Sequence, residues 1–226
     1  MPVKVAIIDT GIGHGLGMDV AARVAVRLNE DGMVQFSTGN EVDPLGHGSA
    51  VARLVVDRAP RCSLLSAEVF YAALPTAANV VAEAITWCVE QGARIINLSL
   101  GLREDRNTLR ESCLTAIAKD VLLVAAHPAR GPATYPANYP GVLAVNGDIR
   151  CGQGDCSCIV KDHLFGASPL PPEGFSGGGA SYAAARMTGQ AAAFFEDHPV
   201  ATTKDFRIHL LDSALFHGRE HRQAAA

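Results

Sequence analysis

Residues 3–9 read Val-Lys-Val-Ala-Ile-Ile-Asp and are followed at once by Thr10 and Gly11. This short, β-branched run is typical of a strand buried on both faces of a parallel sheet. Its only acidic residue, Asp9, comes at the carboxyl end, where open α/β sheets bind their ligands. Asp9 is therefore a candidate functional residue, and a turn-capping role is the alternative.

Downstream of this run, strand-like and helical patterns alternate. The other apolar runs of strand length are residues 62–70, 94–98, 121–126 and 142–145. Apolar side chains recur three and four residues apart, as on the inward face of a helix, in residues 48–58, 75–91 and 105–119. This β-α-β order predicts an α/β fold, with a mostly parallel central sheet flanked by helices. No linker separates two cores, so we expect one domain over residues 1–226.

Three further segments have local signatures. Residues 23–36 alternate in polarity around Asp31-Gly32, which favours a hairpin. Residues 168–179 are rich in Pro and Gly and predict a loop that leads into an Ala-rich helix over 181–196. A last helix is predicted over 203–216.

The composition excludes several classes of protein. The chain has 226 residues, 48% of them hydrophobic and 19% charged, with a net charge of −4. This composition is globular rather than disordered. The acidic balance favours neither nucleic acid nor an anionic membrane as a partner. No apolar run reaches the ~18 residues of a membrane helix.

Two residues with catalytic potential lie at predicted helix starts. His47 stands in Gly-His-Gly-Ser, residues 46–49, at the opening of the helix over 48–58. Ser181 follows Gly-Gly-Gly-Ala, residues 177–180, at the opening of the Ala-rich helix. Taken singly, a structural histidine and an N-cap serine are the plainer interpretations.

Taken together, in the chain order Asp9, His47, Ser181, these segments resemble those of the subtilisin-like serine peptidases. The resemblance extends over nearly the whole chain. Residues 95–101, Ile-Ile-Asn-Leu-Ser-Leu-Gly, are similar to the substrate-binding edge strand of that family, and residues 135–145 are similar to a later strand with its preceding loop.

The resemblance implies a subtilisin-like three-layer sandwich and a serine endopeptidase. His47 would remove the proton of the Ser181 hydroxyl and later protonate the leaving amine, and Asp9 would orient the imidazole. Ser181 would form the acyl-enzyme. The substrate, a peptide or protein, would bind as an extended strand.

That strand would pair with Ser99, Leu100 and Gly101, and Thr134 resembles a position at the base of the primary specificity pocket. A threonine there predicts a small or uncharged pocket.

The sequence departs from the family where an oxyanion is usually bound. The family carries Asn after an Ala-Ala-Gly segment, whereas residues 124–128 read Val-Ala-Ala-His-Pro. In one alignment with the family, Pro128 replaces the Asn and no side-chain donor remains. In the other alignment, shifted by one residue, His127 occupies the position of the Asn. Ala180 also stands where the family commonly has Thr. Losing one such donor lowers turnover by roughly 10²–10³ in subtilisin itself.

Two functions therefore stay open at this point. The first is limited proteolysis of a precursor, with leader-peptide removal as one version. The second is a catalytically weak or inactive protein that holds a peptide in the same groove.

The six cysteines are interpreted as reduced thiols of a cytoplasmic protein, because the N-terminus shows no signal peptide. Cys151, Cys156 and Cys158, with His163, have ligand types suited to zinc, and a redox pair is a second alternative to an ordinary reduced loop. The Gly-rich residues 11–17 lack dinucleotide-binding spacing. We expect no cofactor and no metal, and the sequence leaves the oligomeric state open.

Overall fold

The structure is a computed structural model that describes residues 2–14, 17–71, 75–159 and 163–219. Its helices are α1 (His47–Arg58), α2 (Ala78–Glu90), α3 (Asn107–Ala118), α4 (Ala180–Asp197) and α5 (Thr203–Ser213). Its strands are β1 (Lys4–Asp9), β2 (Val20–Leu28), β3 (Val34–Thr38), β4 (Ser63–Glu68), β5 (Ile95–Leu98), β6 (Leu122–Ala126), β7 (Leu143–Gly147), β8 (Ser157–Ile159), β9 (Leu164–Ala167) and β10 (Phe216–His217).

The strands of these described ranges form one sheet in the order β10-β8-β9-β7-β6-β5-β1-β4-β2-β3. The β2–β3 and β8–β9 pairs are antiparallel, and the other pairs are parallel. β1 lies between β4 and β5, so the buried strand that ends in Asp9 is central. The predicted α/β fold with a mostly parallel sheet is confirmed, as is the hairpin of β2 and β3.

Alternate residues of the central strands supply two cores, one on each face of the sheet. Val5 and Ile7 of β1 pack with α1, α4 and α5. Ala6 and Ile8 pack on the other face with α2 and α3. A strand buried on both faces needs apolar residues throughout, which explains why β1 lacks the usual alternation. The result is a three-layer sandwich.

Small residues let α1 and α4 approach closely. A Cβ added at Gly189 of α4 would lie 3.0 Å from both the Cβ of Arg58 and the carbonyl oxygen of Val55. α4 also buries five alanines between Ala183 and Ala192. The N-terminal ends of α1 and α4 carry His47 and Ser181, so this close packing fixes the two segments relative to each other.

The predicted helix over 203–216 is wrong at its end. α5 stops at Ser213, and Phe216 belongs to β10. The backbone N–H of Leu215 donates to the carbonyl of Cys156, and that of Gly218 donates to the carbonyl of Cys158. Pairing with β8 thus supplies the hydrogen bonds that a longer helix would have made.

None of the helices in the described ranges is both long and apolar enough to cross a lipid bilayer.

Candidate active site

Asp9 and His47 form a direct pair at the carboxyl end of β1. Asp9 is buried, and its Oδ1 accepts hydrogen bonds from Nδ1 of His47 at 2.7 Å and from the backbone N–H of Thr10 at 2.8 Å. A carboxylate only accepts, so Nδ1 of His47 carries the proton and Nε2 keeps its lone pair. The imidazole therefore has the tautomer that a general base requires.

The surroundings of His47 favour its protonated form. The hydrogen bond to Asp9 is the main cause that raises the pKa of His47 above its ordinary value. Burial of the ring acts in the opposite direction, and the negative charges of Asp9 and Asp43 raise the pKa further. The net direction is upward, so the imidazolium of His47 persists to a higher pH than that of an unperturbed histidine.

Asp43 fixes the loop that leads into α1. Its Oδ1 accepts from the hydroxyl of Thr10 and from the backbone N–H of Gly46, each at 2.9 Å. Its Oδ2 accepts from the backbone N–H of Ser49 at 2.9 Å and from the Ser49 hydroxyl at 2.8 Å. One carboxylate thus joins the end of β1 to the start of α1. The patterns above do not single out Asp43, although an Asp shortly before a helix start is a common capping residue.

Replacing Asp43 by Asn will move the acidic limb of any His47-dependent pH profile to lower pH. The substitution removes a negative charge that stabilises the imidazolium, so the pKa of His47 falls and the neutral base persists in more acidic solution. An NMR titration of the His47 ring measures this directly. Glu41→Gln is the matched control, because Glu41 pairs with His14 on the surface and does not act on His47. A midpoint that does not move in Asp43→Asn contradicts the assigned role.

Ser181, the second residue of α4, lies against the end of β5. Its Oγ donates to the carbonyl oxygen of Ser99 at 3.2 Å, and within the described ranges no hydrogen bond joins this Oγ to His47. The next residue, Tyr182, stacks its ring on that of His47, with centroids 5.8 Å apart and an angle of 19° between the planes. The fold therefore brings Asp9, His47 and Ser181 to one edge of the sheet.

A buried polar network holds the end of β5 against α4, the helix that carries Ser181. Asn97 of β5 is fully buried, and its Nδ2 donates to the hydroxyl of Thr188 on α4 at 2.9 Å. The hydroxyl of Ser99 donates to Oδ1 of Asn97 at 2.8 Å. The Thr188 hydroxyl donates in turn to the carbonyl of Ala184. Asn97 thus links the β5 end to the helix that carries Ser181.

Replacing Asn97 by Ala will lower the free energy of unfolding by about 2–4 kcal/mol. The loss combines a cavity with two buried hydroxyls, of Ser99 and Thr188, that lose their amide partner. Urea denaturation followed by circular dichroism measures it. Asn138→Ala is the control, because Asn138 is exposed and its side chain makes no hydrogen bond in the described part of the chain. Equal stability of the two variants contradicts the role of the network.

Residues 2–157 match the sequence pattern of a known protein family, the Subtilase family. The chain belongs to the subtilase family. Among its curated relatives, alkaline elastase YaB of Bacillus sp. (strain YaB) is 27% identical over 94% of this chain and 59% of its own length. Subtilisin Savinase of Lederbergia lenta is 28% identical, again over 94% of this chain, and over 83% of its own length. The chain thus spans little more than half the length of some of the curated subtilases that it matches.

Solved structures show the same fold. The protease domain of PatA superposes with a TM-score of 0.73 at 22% identity, over 94% of this chain and 87% of that domain. The prenylagaramide maturation protease PagA superposes with a TM-score of 0.69 at 23% identity, over 94% of this chain and 83% of that protein. A lanthipeptide protease superposes with a TM-score of 0.69 at 19% identity, over 94% of this chain and 81% of that protein. The subtilisin-like three-layer sandwich is thereby confirmed.

The predicted substrate-binding segment of this subtilase runs directly beside Ser181. The carbonyl of Ser99 contacts Ser181, as described, and Leu100 is buried while Gly101 is exposed. A Cβ added at Gly101 would lie 3.0 Å from the Cβ of Thr134, so the Thr134 side chain borders the segment. Its Oγ1 is buried and has no hydrogen-bond partner in the described ranges.

His127 follows β6, next to the same segment. The β5–β6 register pairs Leu98 with Ala125, which carries His127 to the level of Leu100. The backbone N–H of His127 donates to the carbonyl of Val145 at 2.8 Å. Its Nδ1 is buried and makes no hydrogen bond to any described residue. His127 thus lies at the level of Leu100, and one of its ring nitrogens is free of hydrogen bonds in the described ranges.

The described side chains of the cysteine segment lie apart from one another. Cys151 faces the carbonyl of Gly166 at 4.0 Å, and Cys158 lies 3.2 Å from Nδ1 of His217, a contact that the sequence patterns missed. His163 is exposed. In the described ranges, no three His, Cys, Asp or Glu side chains gather as metal ligands. All six cysteines are free and buried.

Proposed function

We propose that this subtilase is a serine endopeptidase in which Asp9, His47 and Ser181 form the catalytic triad. The observation that carries the proposal is the 2.7 Å hydrogen bond between Asp9 and Nδ1 of His47. It leaves Nε2 free to accept the proton of Ser181, the second residue of α4. The ring of Tyr182 against His47 supports the same juxtaposition.

In the proposed reaction, the Ser181 Oγ attacks the carbonyl carbon of the scissile bond while Nε2 of His47 takes the hydroxyl proton. The resulting imidazolium, stabilised by Asp9, returns that proton to the amine as the C–N bond breaks. An acyl-enzyme remains on Ser181, and water activated by His47 hydrolyses it. The Ser181 hydroxyl now bonded to Ser99 must first rotate towards His47, a change of one side-chain torsion.

Stabilisation of the oxyanion would rest on few donors. As the second residue of α4, Ser181 has a backbone N–H that no intrahelical hydrogen bond uses. His127 is the side chain proposed as a second donor, since Pro128 and Ala180 offer none. An enzyme with this oxyanion site would turn over slowly, because each such donor contributes a factor of roughly 10²–10³.

Slow turnover suits limited proteolysis. We propose that the substrate is a peptide or a precursor protein, bound as an extended strand along Ser99, Leu100 and Gly101 with one side chain near Thr134. Removal of a leader from a precursor is the version that we favour. It is supported by the fold shared with a prenylagaramide maturation protease and a lanthipeptide protease. The six buried thiols support a cytoplasmic location.

A peptide-library digest tests both the activity and its selectivity. The protein and its Ser181→Ala variant are incubated with a proteome-derived peptide library and with unfolded casein, and new termini are read by mass spectrometry. We expect a small set of cleavages with one shared sequence pattern, all absent from Ser181→Ala. Cleavage that persists in Ser181→Ala contradicts the triad, and digestion at many unrelated sites contradicts limited proteolysis.

Two observations favour the second candidate, a peptide-binding protein of weak or absent activity. Ser181 donates its hydrogen bond to Ser99 instead of His47, and Pro128 and Ala180 remove two oxyanion donors. Such a protein would retain library peptides intact on the unmodified chain as well as on Ser181→Ala. The serine endopeptidase would retain intact peptides on Ser181→Ala alone.

A further inference from the structure

A cleft of about 480 Å³ lies on another part of the molecule, between α1, α4 and the loop over residues 171–174. Its lining includes none of Asp9, His47 and Ser181. The proposed peptidase mechanism therefore makes no use of it.

The floor of the cleft holds a buried cation. Arg186 of α4 is only 6% exposed, and its Nη1 donates to the carbonyls of Ser168 at 3.0 Å and Leu170 at 2.6 Å. Among the described residues, Nε and Nη2 of Arg186 have no acceptor, and no carboxylate lies within ion-pair distance. A buried guanidinium is costly unless it is paired. Burial lowers the pKa of the Arg186 guanidinium, and the negative charge of Asp57 offsets this only in part.

Neither carboxylate of the cleft forms a direct ion pair with Arg186 in the described ranges. Asp57 is engaged by Arg53, with Nε and Oδ1 2.8 Å apart one helical turn along α1. Arg58 lines the cleft, is exposed, and forms no ion pair with any described residue. Glu173 is exposed on the opposite wall. Apart from the Arg53–Asp57 pair, the cleft thus contains two cations, Arg58 and Arg186, and one anion, Glu173.

We propose that this cleft binds a small anion that carries a carboxylate or a phosphate, held by Arg58 and Arg186. The guanidinium presents several N–H groups in a plane, a geometry that matches two oxygens of either anion. The free Nε and Nη2 of Arg186 would donate to one end of the ligand and Arg58 to the other. Pro172 and Leu54 line the same cleft and would cover an apolar part.

Isothermal titration calorimetry at constant ionic strength tests the site, with glutarate as the carboxylate probe and glycerol 3-phosphate as the phosphate probe. We expect saturable binding of at least one probe, and the tighter of the two identifies the anion. Arg58→Gln and Arg186→Gln should each weaken that binding about tenfold or more. Lys204→Gln, which removes an exposed cation of α5, should leave it unchanged.

Two results overturn the proposal. The first is no saturable binding of either probe at millimolar concentration. The second is binding that Arg58→Gln does not weaken, which indicates an unspecific charge effect. The Arg58 side chain is exposed and makes no hydrogen bond in the described ranges, so this variant keeps the test decisive even where Arg186→Gln fails to fold. Binding is measured without peptide cleavage, so its outcome is independent of the proposed peptidase activity.

Discussion

Replacing His47 by Ala will lower kcat for peptide cleavage by roughly 10⁶-fold, the size of effect that loss of the triad histidine has in subtilisin itself. Without the imidazole, the proposed triad has no base to accept the Ser181 hydroxyl proton at neutral pH. Asp9 cannot take over, because its buried carboxylate is engaged through Oδ1 by the Thr10 N–H and is directed at the vacated ring position. Progress curves with the cleaved library peptide measure the loss.

His14→Ala is the matched control for this prediction. His14 lies on the surface, where it pairs with Glu41 at 2.6 Å, so its removal should leave kcat unchanged. A fall of less than about 10²-fold in His47→Ala would remove His47 from the role of base, because general-base catalysis alone contributes about that much or more.

Replacing Gly48 by Ala will disrupt the junction between β1 and α1 and lower the free energy of unfolding by at least about 3 kcal/mol. A Cβ at this position would lie 2.1 Å from the carbonyl oxygen of Gly11, which is backbone and cannot move aside alone. Relieving the clash must separate α1 from the turn after Asp9. The 2.9 Å hydrogen bond from the Gly48 N–H to the Thr10 hydroxyl would be lost with it.

Urea denaturation measures this loss, and Gly154→Ala is its control. A Cβ added at Gly154 meets no atom within 4 Å, and this glycine has an ordinary φ angle. We expect its stability to stay within about 0.5 kcal/mol of the unmodified protein. A Gly48→Ala protein as stable as Gly154→Ala would contradict the close contact between the two segments.

The central fold could be predicted from the sequence because its elements are strongly patterned. β1 is a buried apolar run, α1 repeats apolar residues at helical spacing, and the β2–β3 hairpin has Asp31-Gly32 at its turn. β8 and β9 could not be predicted, since these two short strands contain only one β-branched residue, Ile159, and include Ser and Gly. β10 exists only because β8 is there to pair with it.

The candidate site was predictable in its residues and not in its details. Asp9, His47 and Ser181 stand in segments whose order resembles a known family. The hydrogen bond from Ser181 to Ser99 depends on one side-chain torsion, which sequence patterns do not encode. The role of Asp43 depends on four hydrogen bonds that its carboxylate accepts from Thr10, Gly46 and Ser49. The cleft proposed to bind an anion lies between α1 and α4, which are distant in the sequence and come together only in the folded chain.

Reaction with a fluorophosphonate probe, read by intact mass, is the most direct test of the proposed triad. The probe reports an activated serine without knowledge of the substrate. We predict that the unmodified protein gains the mass of one probe, that Ser181→Ala gains none, and that labelling fades as the pH falls and His47 becomes protonated. Folded protein that stays unlabelled between pH 6 and 9, or equal labelling of Ser181→Ala, would contradict it.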